Sequence, residues 1–294
     1  MGLFDIFFGR KPKKNEPSRP NELFSLQVLF PDLPSLDTAS LTAELRRFHP
    51  SLKSARFDIE PEAAAKGTPI GQAVWGKHTI DIVGFDVPMP APSVEATVQP
   101  AHYGSDLKTR ARAHRAHLIL YHNGVETSPL ERYVALAVIV GVLAKRGAIV
   151  VLNEAASTSF PAEALNGAEG GEDSLEILRT LPLLVLYCGF VKYDVAGTNG
   201  TWMRTFGCHL FKLPDFAYFA TGHDQGEFIF GLFTSLHDYL RESGKQFLPG
   251  HTMQVGDDLF ARVRKPVADE YFLESKGELL VIELISEAET NIHR

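Results

Sequence analysis

Four histidines between positions 102 and 122 are the first candidates for chemistry in this sequence. They are His102, His114, His117 and His122. His114 and His117 are three residues apart, a spacing that places two imidazole rings on one face of a helix and suits two metal ligands. No nearby cysteine or glutamate completes a zinc motif. We therefore expect these four to be surface or core histidines, and we expect no bound metal and no cofactor.

Two further histidines, His78 and His209, occupy matching places in a repeated motif. Trp75-Gly76-Lys77 precedes the first, and Phe206-Gly207-Cys208 precedes the second. A position inside a strand after a glycine suggests packing or hydrogen bonding. A general base also needs an oriented partner, and none is evident beside either histidine. A cleft shared by two halves would bring the pair together, so we include both as candidate binding residues and leave the catalytic residues unknown.

Hydroxyl and thiol nucleophiles offer no complete catalytic set. The run Ser157-Thr158-Ser159 follows a predicted strand, but no G-x-S-x-G motif surrounds it, and a polar loop is the better interpretation. Cys188 lies in the apolar run LLVLYCGF and is predicted to be buried and inert. Cys208 precedes His209, and adjacent residues on a strand point to opposite faces. We therefore expect no Cys–His dyad.

Trp202 and Arg204 are the candidate binding surface. They lie in a turn-and-strand segment that we predict to be exposed, and tryptophan and arginine are enriched at interface hot spots. The alternatives are core packing for Trp202 and a solvated strand face for Arg204. With His78 and His209, they complete the set of candidate binding residues.

A repeated motif indicates an internal duplication. It consists of a basic residue, an aromatic residue, aspartate and a β-branched residue, then Gly-Thr, then aromatic-Gly-x-His. The first copy reads RFDI at 56–59, GT at 67–68 and WGKH at 75–78, and the second reads KYDV at 192–195, GT at 197–198 and FGCH at 206–209. Each copy comes after a short helix that begins Ser-Leu.

Hydrophobic periodicity predicts the elements that carry this motif. The predicted strands are 24–30, 56–60, 74–85, 117–121, 148–153, 183–195, 201–213, 252–255, 259–263 and 279–284, and the predicted helices are 38 to the stop at Pro50, 105–116, 129–146, 174–180 and 222–243. Each half then has the order strand, helix, strand, strand, helix, strand. This order predicts an α+β protein of two related βαββαβ, ferredoxin-like halves, joined by the long apolar helix 129–146.

The expected domains are a disordered basic leader at 1–23, a first half with its connecting helix at 24–146, and a second half at 147–294. The leader joins an apolar hook at 1–8 to a basic run at 10–14. It lacks the pattern of a secretion signal. Two interpretations stay open, namely weak contact of residues 1–14 with an anionic membrane and loose docking on the protein's own surface.

Composition narrows the class of protein. The 294 residues are 45% hydrophobic and 22% charged, as in ordinary globular proteins, and the formal net charge of -7 argues against a nucleic-acid partner. The two cysteines form no C-x-x-C pair, which favours a reducing compartment. We therefore expect a cytoplasmic protein. No G-x-G-x-x-G or phosphate-binding loop supports nucleotide binding.

Long stretches of the chain resemble a known bacterial family. TWMRTFGCHLFKLPDFAYFA at 201–220, with LPLLVLYCGFVKYDV before it and GHTMQVG at 250–256, resembles the family designated domain of unknown function 4261. Upstream segments within 54–71, 98–121 and 133–161 are similar to its longer members, so the resemblance covers most of the chain beyond residue 24. The family implies no established activity, cofactor or catalytic residue. By analogy, small α/β proteins of this kind are associated with toxin-immunity systems.

Two functional classes remain open from the sequence. The favoured one is a non-enzymatic binding protein, including an immunity-type role, whose partner is another protein or a small ligand. The alternative is an enzyme, such as a hydrolase, with its site in the cleft between the halves. A deep pocket with converging polar groups would favour the enzyme, and a broad acidic or aromatic face would favour the binding protein.

Overall fold

The computed structural model describes residues 23–167 and 171–290. All of the predicted leader except Leu23 lies outside the described residues. Within them the chain forms two β-sheets and nine α-helices, so the prediction of a mixed α/β protein is confirmed. In this part of the chain, no helix combines the length and apolar character needed to cross a membrane.

The first sheet has seven strands in the order β2-β3-β4-β5-β1-β6-β7. All neighbouring strands in it are antiparallel. Its strands are β1 Ser25–Phe30, β2 Arg56–Ile59, β3 Ile70–Trp75, β4 His78–Phe85, β5 Ala116–His122, β6 Val150–Asn153 and β7 Thr158–Pro161.

The second sheet has six strands in the order β11-β12-β13-β10-β9-β8. Strands β10 and β13 are parallel, and the other neighbours are antiparallel. Its strands are β8 Gly189–Asp194, β9 Thr201–Phe206, β10 Asp215–Ala220, β11 Thr252–Gly256, β12 Leu259–Arg264 and β13 Leu279–Ile285.

The helices begin and pack as their sequences indicate. Asp37 caps the first helix by accepting a hydrogen bond from the Ser40 amide at 2.7 Å, and the buried stripe of that helix faces the core. The α-helices are α1 Thr38–Phe48, α2 Pro61–Ala65, α3 Ala91–Val98, α4 Ser105–Arg112, α5 Pro129–Ala144, α6 Ser174–Thr180, α7 Leu183–Leu186, α8 Gly226–Ser243 and α9 Glu287–Thr290.

The ferredoxin-like arrangement is wrong for both halves. A βαβ unit joins parallel strands through a crossover, whereas β1 lies between β5 and β6 and is antiparallel to both. Strand β6, expected to open the second unit, pairs with β1 in the first sheet. The first sheet therefore continues to β7 at Pro161, beyond the boundary expected at residue 147. The order of elements along a chain does not determine which strands pair.

The long apolar helix exists, but it does not act as a connector. Every residue of α5 from Tyr133 to Leu143 is buried. The helix packs against β1, β4 and β5 on one side and contacts α1 and α6 elsewhere. A helix that is apolar on all sides belongs in a core. The chain then returns to the first sheet through β6.

Three predicted strands are shorter or divided. The strand expected at 74–85 is a hairpin that turns at Gly76, and the strand expected at 183–195 begins with the helical turn α7. The strand expected at 201–213 ends at β9, where Gly207 has a φ of 84° and a 3₁₀ turn begins. Short apolar runs do not distinguish a buried helix from a strand, which accounts for α7.

The turn between β6 and β7 attaches the two sheets to each other. The Asn153 side-chain amide donates to the carbonyl oxygens of Leu186 at 2.8 Å and Tyr187 at 3.2 Å. Gly189, at the start of β8, lies directly against the carbonyl of Ala156 in the same turn, where a side chain would overlap that oxygen. These contacts place β7 and β8 on the two sides of a cleft.

Candidate functional site

A cleft of about 480 Å³ lies between the two sheets. Its walls are β7 of the first sheet, β8 of the second sheet, the start of α8 and the loop between α3 and α4. Small-molecule sites have volumes of about 300–1,000 Å³ and combine apolar walls with a few polar groups. The cleft has the size and position of such a site.

Aromatic rings form much of the cleft wall. The His102 ring lies 6.0 Å from the ring of Phe190 and 6.1 Å from that of Phe230, which also lines the cleft. Desolvation by these neighbours lowers the pKa of the partly exposed His102, and the positive charges of Lys192 and Lys108 lower it further. His102 is therefore neutral at pH 7 and contributes an uncharged ring.

Lys192 brings an unpaired positive charge to this wall. Its ammonium donates one long hydrogen bond, 3.4 Å, to the carbonyl of His223. No carboxylate in the described parts of the chain lies within 4.0 Å of it, including that of Glu227 on the same wall. The lysine stem packs on Gly226, where a Cβ atom would approach the ammonium to 2.6 Å. The absence of a side chain at this glycine leaves room for the ammonium.

The hydroxyl groups of Ser159 and Tyr103 in the cleft are engaged in structural hydrogen bonds. Ser159 donates to the carbonyl of Thr97 at 2.9 Å, and its oxygen lies 2.8 Å from the Tyr103 hydroxyl. Thr158 and Ser159 belong to strand β7, so the polar loop predicted there is wrong. Neither hydrogen bond of Ser159 involves a histidine, so it has no general base.

His78 lies in a second, smaller cavity of about 230 Å³. Its Nδ1 atom is 3.1 Å from Nε2 of His122, and its ring is 5.3 Å from that of Trp75. Burial lowers the pKa of His78. Burial, together with the charge of His78, lowers the pKa of His122 to about 4. The two rings therefore form a neutral hydrogen-bonded pair at pH 7.

His209 is not equivalent to His78. It lies on the 3₁₀ turn Cys208–Phe211 instead of a strand, and its buried Nδ1 atom has no hydrogen-bond partner among the described residues. It lines cavities of about 400 and 290 Å³, neither of which includes His78. The expectation that one cleft brings the two histidines together is therefore wrong, and neither lines the cleft between the sheets.

Trp202 and Arg204 are buried, with 4% and 1% of their surfaces exposed. The exposed binding surface predicted from them is therefore wrong. Trp202 packs against Phe219 at 5.2 Å and Phe272 at 5.6 Å. Phe272 belongs to residues 265–278, a mainly irregular segment that we name the cover segment because it packs over this face of the second sheet.

His114 and His117 hold backbone groups. His114 accepts from the Met89 amide at 2.8 Å and lies 2.7 Å from the carbonyl of Ala111, while His117 lies 2.9 Å from the carbonyl of Val87. Both residues are buried. The interpretation of the clustered histidines as surface or core residues left both positions open, and these two lie in the core. Cys188 is also buried, as predicted.

Comparison with known proteins gives no relative for this chain. No protein-family model, no curated protein and no solved structure matches it. The resemblance to domain of unknown function 4261 stays an expectation, and the geometry of the cleft carries the functional conclusion.

The sequence predicts only part of this site. The histidine cluster includes His102, and the repeated motif includes Lys192 as its basic residue. The sequence did not indicate that they share a cleft, because the chain between them forms parts of both sheets. No local spacing records such a long-range contact.

Proposed function

We propose that this protein binds a small organic acid in the cleft between its two sheets. The ligand has an apolar or aromatic body and one acidic group. The observation that carries the proposal is the ammonium of Lys192, which lies without a carboxylate partner within 4.0 Å among the described residues, on the wall of a mainly apolar cleft. A charged group beside apolar walls favours a ligand of opposite charge.

The positions of the aromatic rings support this class of ligand. Phe230 and the neutral ring of His102 offer flat apolar surfaces near the ammonium. Lys108 adds a second positive charge near His102. A neutral ligand would gain the apolar contacts but not the charge interaction. The ligand's acidic group would therefore provide selectivity, and its apolar body most of the buried area.

Binding without chemical turnover is favoured over hydrolysis. A serine nucleophile needs a hydrogen-bonded base, and Ser159 is bonded to Thr97 and Tyr103 instead. His102 makes no hydrogen bond to a carboxylate in the described parts of the chain. The cleft therefore supports the non-enzymatic class of function.

Matched acids and amides test this proposal. Benzoate and hexanoate would be compared with benzamide and hexanamide by thermal shift and calorimetry. We expect the acids to bind at least about tenfold more tightly than the amides, because a charge-assisted hydrogen bond contributes about 1.5–3 kcal/mol. Lys192→Met should abolish this preference, and Lys192→Arg should retain it.

A lysine outside the cleft provides the control. Lys53→Met removes an exposed lysine that does not line the cleft and should leave acid binding unchanged. Equal affinity for acids and amides, or native acid binding by a folded Lys192→Met variant, would refute the proposal.

A further inference from the structure

The fully buried guanidinium of Arg204 has too few partners. Its Nε atom makes one long hydrogen bond, 3.4 Å, to the carbonyl of Thr205, and its Nη2 atom has no partner among the described residues. The guanidinium carbon lies 4.0 Å from the ring centre of Phe206. Within the described chain, no carboxylate lies within 4.0 Å of this side chain. A buried charge without a counter-ion is strongly unfavourable.

A second buried donor lies beside it. Tyr193 pairs with Trp202, and Val191 pairs with Arg204, so Tyr193 and Arg204 point to the same face of the second sheet. The Tyr193 hydroxyl is also buried without a partner among the described residues. Burial raises the pKa of Tyr193, whereas the charge of Arg204 and the direct contact of its side chain with the Tyr193 hydroxyl lower it, so the two groups touch without forming a hydrogen bond of ordinary geometry.

The nearby buried acid is already engaged. Asp215 accepts hydrogen bonds from the Ser275 hydroxyl at 2.5 Å, the Cys208 amide at 3.2 Å and the Thr205 hydroxyl at 3.3 Å. With these three donors its oxygens are satisfied. The positive charge of Arg204 therefore requires an anion from another source.

We propose that Arg204 and Tyr193 form a second ligand site, in which a carboxylate accepts hydrogen bonds from the Arg204 guanidinium and the Tyr193 hydroxyl. A carboxylate matches the planar guanidinium geometry and can also accept from a phenol. The site lies beneath the cover segment, so the ligand enters when this segment lifts. Phe272, Leu273 and the Ser275–Asp215 hydrogen bond hold the segment in place.

This site is separate from the cleft. Lys192 and Tyr193 are consecutive residues of β8, so their side chains point to opposite faces of the sheet. The two proposals therefore fail independently, and variants of each residue distinguish them.

Trp202 is a built-in reporter of this second site. The sequence has two tryptophans, so Trp75→Phe leaves Trp202 as the single emitter beside Arg204. We would titrate this variant with sodium acetate, using acetamide and sodium chloride at equal ionic strength as controls. We expect a saturable change in emission and a rise in Tm with acetate alone.

Variants within the site then give the decisive comparison. Tyr193→Phe in the Trp75→Phe background should weaken acetate binding about tenfold, the value of one charge-assisted hydrogen bond. Arg204→Met should abolish the change in Trp202 emission, and Lys53→Met, which removes an exposed lysine outside both sites, should leave it unchanged. Because Arg204→Met risks misfolding, Tyr193→Phe keeps the test decisive. A titration without saturation, or an equal acetate response in the Tyr193→Phe protein, would overturn this site.

Discussion

Two three-stranded meanders, β2-β3-β4 and β8-β9-β10, carry the repeated motif and resemble each other at their turns. Gly67 and Gly197 lie between the first two strands of each meander and have φ values of 76° and 85°. Gly76 and Gly207 come after the second strands, with φ values of 49° and 84°. These left-handed conformations favour glycine. The shared motif therefore corresponds to matched turns.

The two meanders differ in the residues that follow the turns at Gly76 and Gly207. In the first, the chain enters β4 at once with His78 as its first residue. In the second, the 3₁₀ turn Cys208–Phe211 comes before β10. The outer neighbour of β4 is the antiparallel β5, whereas that of β10 is the parallel β13. A local motif thus determines turn conformation, and distant segments determine how each sheet is completed.

A substitution where the second meander contacts the first sheet should give the largest loss of stability. Gly189→Ala would force a Cβ atom into the carbonyl oxygen of Ala156. Neither atom can rotate away, because the backbone fixes the position of both. We expect a loss of at least about 4 kcal/mol in the free energy of unfolding, measured in urea. Gly231→Ala, on an open part of α8, is the control and should stabilise by about 0.5–1 kcal/mol. A Gly189→Ala protein within about 1 kcal/mol of native would contradict this packing.

Low pH should weaken the pairing of the first meander with β5, because His78 begins β4 and His122 ends β5. His122 has a pKa of about 4 in the folded protein against the usual 6.5, and the pKa of His78 is also lowered. The unfolded chain therefore binds more protons below pH 6.5, so the free energy of unfolding falls as pH drops from about 6.5 to about 4. His122 alone contributes roughly 3 kcal/mol to this loss.

Replacing the histidine isolates this contribution from those of the carboxylates. His122→Asn should flatten the pH dependence in that range, although Arg132 and Glu126 still face the site with opposing effects. Trp75→Phe changes the same cavity without removing a titrating group and should keep the native slope. Identical slopes for His122→Asn and native protein, from urea unfolding between pH 4 and 7, would show that the pair is not the cause.

The matched turn glycines provide the finest test of the comparison. Gly76→Ala introduces only backbone strain, because no atom lies within 4 Å of the added Cβ, and we expect a loss of about 1 kcal/mol. Gly207→Ala adds a tight approach of 3.2 Å to the carbonyl of Ala155, so its loss should be about 2 kcal/mol. Urea unfolding measures both, and the reverse order would show that the second turn is the more adaptable.

The sequence was sufficient for most regular elements. Helix α6 has its predicted bounds, and α1 begins after the predicted Asp37 cap. Strands β11, β12 and β13 agree with the prediction to within one residue at each end. The missed elements include strands β7 and β10 and helices α2 and α3, because none of these stretches shows a clear period in its apolar residues. Amphipathic period and caps are local properties, so a single sequence records them.

The burial of Trp202 and Arg204 could not be predicted from the sequence. Strand β9 has polar and apolar residues on both faces, and five of its six residues are buried. The reason is the cover segment, which contains no amphipathic pattern and contributes Phe272 and Leu273 to that face. The cleft was similarly hidden, because β7, β8 and α8 meet only after both sheets have formed.

The central position of β1 has a consequence for synthesis of the chain. Ser25 pairs with Tyr121, and Leu29 pairs with Val150, so the first strand is also the one whose partners emerge late. At about 5–20 residues per second, a ribosome needs on the order of ten seconds to pass from β1 to β6. Until β5 emerges the apolar strand β1 has two unpaired edges, and until β6 emerges it has one, which a nascent-chain chaperone would recognise. The Leu29 backbone faces β6, since its carbonyl accepts from the Ile149 amide. Pulse-labelled hydrogen exchange on stalled chains should therefore detect protection of the Leu29 amide only when residues up to 153 have left the ribosome.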